Sequence, residues 1–192
     1  MPPTVSRSVR IRFQAGDRDA FRELVSPHLD TVFTLCLRMT GSRADADELA
    51  QDALVRALQH HGAYDATREF RPWLLTIAAN LCRDRVRGGW WRNLARGLSL
   101  VSTVDHSPED ELLDDEGERV VRAALATLPA LYREAVSLFH LEGMNYAEMQ
   151  IITGSSESAL KQRVRRGLIL LEEAVLRLYP DYAAVRTVGQ EP

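Results

Sequence analysis

Lysine is almost missing from this chain: of 24 basic residues only Lys161 is not arginine. That bias hints at a GC-rich genome more than at a mechanism. Cysteine is scarce too. The two present, Cys36 and Cys82, form no metal-ligand or redox spacing, and Cys36 falls on the apolar stripe Leu29, Val32, Phe33, Cys36, Leu37, which assigns it to a core. No apolar run is long enough to span a bilayer and no signal-peptide pattern opens the chain, so the expected setting is a reducing cytoplasm. His28, His60 and His61 stand at no spacing that pairs them with carboxylates in a ligand motif. Catalysis, a resident metal and a cofactor are therefore not expected. His60-His61 ends a helix, where imidazole complements the dipole. Strand and hairpin signals are absent as well, while helical periodicity is strong, which makes the fold class all-α.

Hydrophobic residues at 45% and charged residues at 27% are ordinary for a soluble globular protein. The net charge of −3 is not evenly spread. Residues 1–100 carry 15 basic against 11 acidic side chains, residues 101–120 carry one against eight, and residues 121–192 carry eight of each. The acidity lies in one segment, DHSPEDELLDDEGE. A chain with this balance binds DNA weakly alone, because nonspecific affinity rests on phosphate neutralisation. That favours a protein that needs a partner.

Two helices are expected over 17–25 and 27–40, the second stopped by Gly41. A third runs over 45–60, with Ala46, Leu49, Ala50, Ala53, Leu54, Ala57 and Leu58 filling one face. A fourth has Pro72 in its first turn and ends at Gly88-Gly89. Its buried stripe is Phe70, Trp73, Leu74, Ile77, Ala78 and Leu81, with Thr76, Asn80, Arg83, Asp84 and Arg87 exposed opposite. Residues 89–115 have linker character, with Gly-Gly, Pro108 and the acid run. Extended at ~3.3–3.6 Å per residue, such a linker reaches on the order of 85 Å. Helices resume over 116–127, break at Pro129 and continue over 130–141. The resulting organisation is a helical domain over 10–88, the linker, a second helical domain over 116–178, and a tail from 179 to 192.

The segment NYAEMQIITGSSESALKQRVRRG reads as two helices around a glycine turn. Asn145 caps the first, with Glu148 placed for a capping box. Gly154 supplies the left-handed turn residue. In the second helix Leu160, Val164, Leu168 and Leu171 recur at helical spacing and are expected inward. This is the pattern of a helix-turn-helix, whose second helix meets base edges with its N-terminal part and grips phosphates further along. Ser156, Glu157, Ser158, Lys161 and Gln162 are the candidates for base reading, and Arg163, Arg165 and Arg166 for backbone contact. A solvated basic face on an ordinary helix is the bland alternative; the cap, the turn and the cations together favour DNA.

DADELAQDALVRAL followed by FRPWLLTIAANLCRDRVR resembles region 2 of bacterial sigma-70 family factors of the extracytoplasmic-function (group 4) type. LATLPALYREAVSLFHLEGMNYAEMQIITGSSESALKQRVRRGLILL resembles their region 4. The resemblance implies a dissociable initiation subunit of RNA polymerase. The outer face of the 45–60 helix (Asp47, Glu48, Gln51, Asp52, with Leu54 and Arg56) would dock on the clamp helices of the largest core subunit. Asn80, with Arg71, Arg83, Asp84 and Arg87, would read the −10 element on the non-template strand, region 4 would bind the −35 duplex, and the acidic linker would thread toward the active-site channel. An anti-sigma factor is an implied further partner. Trp90-Trp91 departs from the family pattern, either capping the core or stacking on an unpaired base. Gln162, where serine is common, bears on promoter sequence.

Two other readings compete. A sigma-like decoy that titrates an inhibitor should have lost Arg163, Arg165 and Arg166, and usually carries a receiver domain for which this chain has no room. A stand-alone helix-turn-helix regulator would leave the acidic face of the 45–60 helix and the linker unexplained.

Overall fold

Helix signals in the sequence translate into helix boundaries through their caps. The computed structural model describes residues 6–95 and 116–180, with the side chains of 89–95 excepted; the acid run as far as Asp115, the Trp90 and Trp91 side chains and the tail beyond 180 lie outside it. The first unit comprises α1 (Arg7–Gln14), α2 (Arg18–Val25), α3 (Leu29–Thr40), α4 (Arg43–Gln59) and α5 (Phe70–Ala95). Asp17 caps α2 by accepting from the Asp19 and Ala20 amides, and these bonds and Arg12 hold its carboxyl below the usual range. Gly41 ends α3 in the left-handed conformation at φ 75°, which glycine adopts without a Cβ penalty. Ser42 caps α4, whose first residue, Arg43, lies two positions before the expected start.

Two features depart from the expected pattern. Helix α1 carried no recognised signal, yet its Phe13 is wholly buried at the centre of an aromatic cluster with Phe21, Tyr64, Phe70 and Trp73. Its Arg10 donates to Glu69 and to the Arg68 carbonyl. Helix α5 does not stop at Gly88-Gly89 but runs to Ala95. Each glycine weakens a helix by ~1 kcal/mol relative to alanine but ends it only where the backbone leaves the helical conformation, and Gly88 is not among the positive-φ glycines. The first residues of the expected linker are thus helical.

The second unit comprises α6 (Glu116–Thr127), α7 (Ala130–Val136), α8 (Tyr146–Thr153) and α9 (Glu157–Leu178). Residues Ser137–Leu141 extend α7 as a π-helical turn, closed by the Glu142 amide on the Ser137 carbonyl. The inward stripe of α9 corrects the expected one. Leu160 and Val164 are buried and Leu171 packs half-buried against the core as expected, but the inward position between them is Gly167, and Leu168 is 38% exposed. A β-carbon at Gly167 would stand 2.5 Å from Val136 Cγ2 and 3.1 Å from the Tyr132 carbonyl oxygen. Glycine there lets α7 and α9 cross closely.

The two units are docked on one another. Leu75, Ala79 and Cys82 form a second buried stripe on α5 that the periodicity reading did not assign. They belong to the same continuous core as Leu138, Met149 and Ile152 of the second unit, and α5 packs along α8. Ala124, Leu125, Leu128, Val136 and Ala174 form a smaller core within the second unit.

Candidate nucleic-acid interface

The helix-turn-helix is built as its local sequence dictates. Asn145 Oδ1 accepts the Glu148 amide at 3.0 Å and Glu148 Oε2 accepts the Asn145 amide at 3.0 Å, completing the capping box. Gly154 turns the chain at φ 67°, and Ser156 caps α9 through the Ala159 amide. Ser156, Glu157, Ser158, Lys161, Gln162, Arg165 and Arg166 are all exposed, so the residues expected to face DNA share an open surface. Lys161 pairs with Glu157 at 2.6 Å and lies 5.5 Å from the Tyr146 ring centroid. Arg163 differs from its neighbours: half-buried, it donates to Ser155 Oγ at 2.7 Å and braces the turn. No carboxylate among the described residues pairs with Arg165 or Arg166.

The α5 set is split. Asn80, Asp84 and Arg87 are exposed, with Arg87 bonded to Asp84 at 2.6 Å. Arg71 and Arg83 are instead engaged by the second unit. Arg71 donates to the Glu142 carbonyl at 2.6 Å. Arg83 donates from Nε to the Glu134 carboxylate at 2.9 Å, from Nη2 to the Ile152 carbonyl at 2.8 Å, and from Nη1 to Asn80 Oδ1. Two further ties run between the units. Arg38 donates to Glu142 Oε1 at 2.6 Å. Arg133, only 5% exposed, donates to the Met39 carbonyl at 2.8 Å while also serving Ala126 and Leu128. Met39, Ala126 and Ile152 lie in the last turns of their helices, where carbonyls lack intrahelical partners and attract cations. Sequence inspection missed Arg38, Arg133, Glu134 and Glu142, because each acts on a residue distant in the chain.

On α4, Asp47, Glu48, Gln51, Asp52 and Arg56 are exposed along one side, and Leu54 is half-buried against the core. Arg85 of α5 pairs with Asp45 and, at 2.6 Å, with Glu48, which pins one flank of this acidic face. Val55, 52% exposed, adds an apolar centre to it. His60 donates from Nδ1 to the Arg56 carbonyl at 2.9 Å at the helix end, as the dipole reading expected. Among the described residues no cluster of three or more His, Cys, Asp or Glu could hold a metal ion, and no helix is long and apolar enough to cross a membrane.

Comparison with known proteins matches residues 24–92 to Sigma-70 region 2 and residues 118–171 to Sigma-70 region 4. The extracytoplasmic-function RNA polymerase sigma factor BldN of Streptomyces coelicolor is 33% identical over 90% of this chain, which spans 65% of that relative's length. RNA polymerase sigma factor CarQ of Myxococcus xanthus is 33% identical over 90% of this chain and 98% of its own. In fold, the chain is similar to the sigma factor RpoE of Bartonella quintana, solved in complex with the anti-sigma factor NepR. That similarity has a TM-score of 0.70 at 22% identity and covers 81% of this chain and 96% of RpoE. With both regions present in order on an all-helical frame, the chain belongs to the sigma-70 family, among the extracytoplasmic-function sigma factors, non-enzymatic subunits that direct RNA polymerase to promoters.

Proposed function

We propose that the two units divide promoter recognition between them. The N-terminal half of α9 enters the −35 major groove, with Ser156, Glu157, Ser158, Lys161 and Gln162 toward base edges and Arg165 and Arg166 on phosphates. Arg163 supports the same surface by holding the turn. Asn80, with Arg71, Arg83, Asp84 and Arg87, takes the non-template strand of the −10 element after the duplex parts, offsetting some of the unstacking cost of a few kcal/mol. The face of α4 bearing Asp47, Glu48, Gln51, Asp52 and Arg56, with Leu54 beneath it, docks on the clamp helices of the core enzyme's largest subunit. The functional division follows 10–88 and 116–178, with the acidic segment between them threading a positively charged channel of the polymerase. The protein acts in the cytoplasm, with an anti-sigma factor as an expected restraint.

One observation carries this reading: a capped recognition helix with an open cationic surface stands on the same chain as a separate acidic helix face. A stand-alone DNA-binding regulator needs only the first. The test is in vitro transcription from a genomic library with purified core polymerase, with and without the protein. Discrete start sites that depend on the protein are expected, and identical transcript ends in both reactions would sink the proposal. Neutralising the acids of residues 105–118 should alter abortive initiation if the segment threads the channel.

A further inference from the structure

We propose that Glu157 and Lys161 read a single G·C base pair of the −35 element as one unit, and that Tyr146 of α8 holds Lys161 in the posture this requires; both roles depend on α9 lying in the major groove, as assigned above. Lys161 Nζ meets Glu157 Oε1 at 2.6 Å, with both side chains more than half exposed. A pair at this spacing stabilises a surface helix only slightly, but it sets a donor beside an acceptor at a fixed separation. An ammonium has three N–H donors; one goes to Glu157 and two remain. The major-groove edge of a G·C pair shows two acceptors, guanine N7 and O6, and then one donor, the cytosine N4 amine. Lys161 over the guanine and Glu157 over the cytosine satisfy all three. An A·T pair, read either way, sets the adenine N6 donor against the ammonium and an acceptor against the carboxylate. A C·G pair inverts the order and fails at both ends. An arginine forked onto Glu157 would commit two donors there. Lysine commits one, and Lys161 is the only lysine among the 24 basic residues.

A lysine side chain is long and mobile, so it discriminates between bases only when its swing is limited. Tyr146, the first residue of α8, supplies that limit. Its ring centroid lies 5.5 Å from Lys161 Nζ, within the range at which an aromatic face attracts a cation. The ring is itself fixed. It stacks on Phe139 with 4.6 Å between centroids and 21° between planes, and both rings pack against the core. The ammonium is therefore held from two helices, by a carboxylate on its own and by a ring on the helix before the turn. Holding a group in its bound posture lowers the ordering cost of binding, so Tyr146 is a positioning residue that acts through Lys161. Arg165 and Arg166, without a carboxylate partner among the described residues, follow farther along α9, where phosphate contacts carry no sequence information.

The test is sequence selection by the assembled polymerase. Core enzyme carrying the full chain is taken through rounds of binding to a duplex pool randomised over about ten base pairs, one helical turn, and the retained DNA is sequenced beside that kept by core enzyme alone. The parent should enrich an element with one column that prefers G·C about tenfold or more. Lys161→Met, which keeps the stem and removes the charge, and Glu157→Ala should each flatten that column and leave the others. Tyr146→Leu should flatten the same column, and Tyr146→Phe, which keeps the ring, should retain it. Arg165→Ala should weaken retention with every column preserved. Columns that ignore Lys161→Met, a Lys161-dependent column that is not G·C, or an even loss over all columns in Lys161→Met or Tyr146→Leu overturns the inference while leaving α9 in its groove. A parent that enriches nothing beyond core enzyme alone overturns the placement of α9, and the paired readout with it.

Discussion

The two surfaces proposed for nucleic acid are built from the same side chain, arginine, and stand in opposite states. On α9 Arg165 and Arg166 face solvent with no carboxylate partner among the described residues. On α5 Arg83 is surrounded by acceptors from α7 and α8. The difference follows from position. The candidate site on α9 is the first turns of a helix projecting beyond a tight glycine turn, where its own unit leaves it uncovered. The α5 residues lie midway along a long helix beside the buried stripe of Leu75, Ala79 and Cys82, so whatever buries that stripe also reaches Arg83. A cation beside a buried stripe is available to a ligand only when the covering element is displaced.

The largest expected effect separates the surfaces altogether. Asp52→Arg on α4 should abolish association with core polymerase in pull-down and gel filtration while duplex binding through α9 stays intact. Arg83→Ala should come next. It strips a buried carboxylate of its partner, a change that costs ~3–5 kcal/mol where the charge stays buried. Small-angle scattering should therefore show expansion, with promoter opening lost in permanganate footprinting. Arg165→Ala should leave the radius unchanged and lower −35 duplex affinity, reducing the salt slope by about one. Equal expansion in both variants would erase the distinction drawn between the sites.

Within the second unit, Gly167→Ala should destabilise by ~1–3 kcal/mol in chemical denaturation, although alanine is the better helix former by ~1 kcal/mol. Val136 is β-branched and stiff, so it has little room to yield to the new methyl. Asn145→Ala should cost about 1 kcal/mol through loss of the capping box and weaken −35 binding with little change in interdomain distance. The smallest effect concerns pH. Burial holds the Glu142 carboxyl above its ordinary value of 4.5, outweighing the pull of Arg38 and Arg71. The docked units therefore bind this proton more tightly than separated units with Glu142 in water. That contribution to docking is complete below 4.5 and is lost as pH rises through the raised value. Energy transfer between dyes on the two units should fall slightly over that interval.

Legibility in the sequence tracked the range of the interactions involved. The helix-turn-helix was readable to the residue because a cap, a box and a left-handed glycine act over four positions or fewer. The acidic face of α4 was readable because its inner face is almost uninterrupted alanine and leucine. The end of α5 was misjudged, since paired glycines weaken a helix without ending it. Leu168 was placed inward and Gly167 overlooked, because periodicity counts apolar side chains and misses a position used for having none. Helix α1 escaped notice because its short stretch has only a few apolar anchors, and Phe13 gains its importance from aromatics some fifty residues away.

Amino-acid order alone settled the helical class, the two units, the caps and which helix carries the open cations, because hydrogen bonds to near neighbours and the 3.6-residue repeat need no tertiary context. Which arginines are free and which are held was decided only by the docking of the units. That outcome depends on carboxylates and helix-end carbonyls brought from 51 to 94 positions away, where sequence distance carries no information about separation in space.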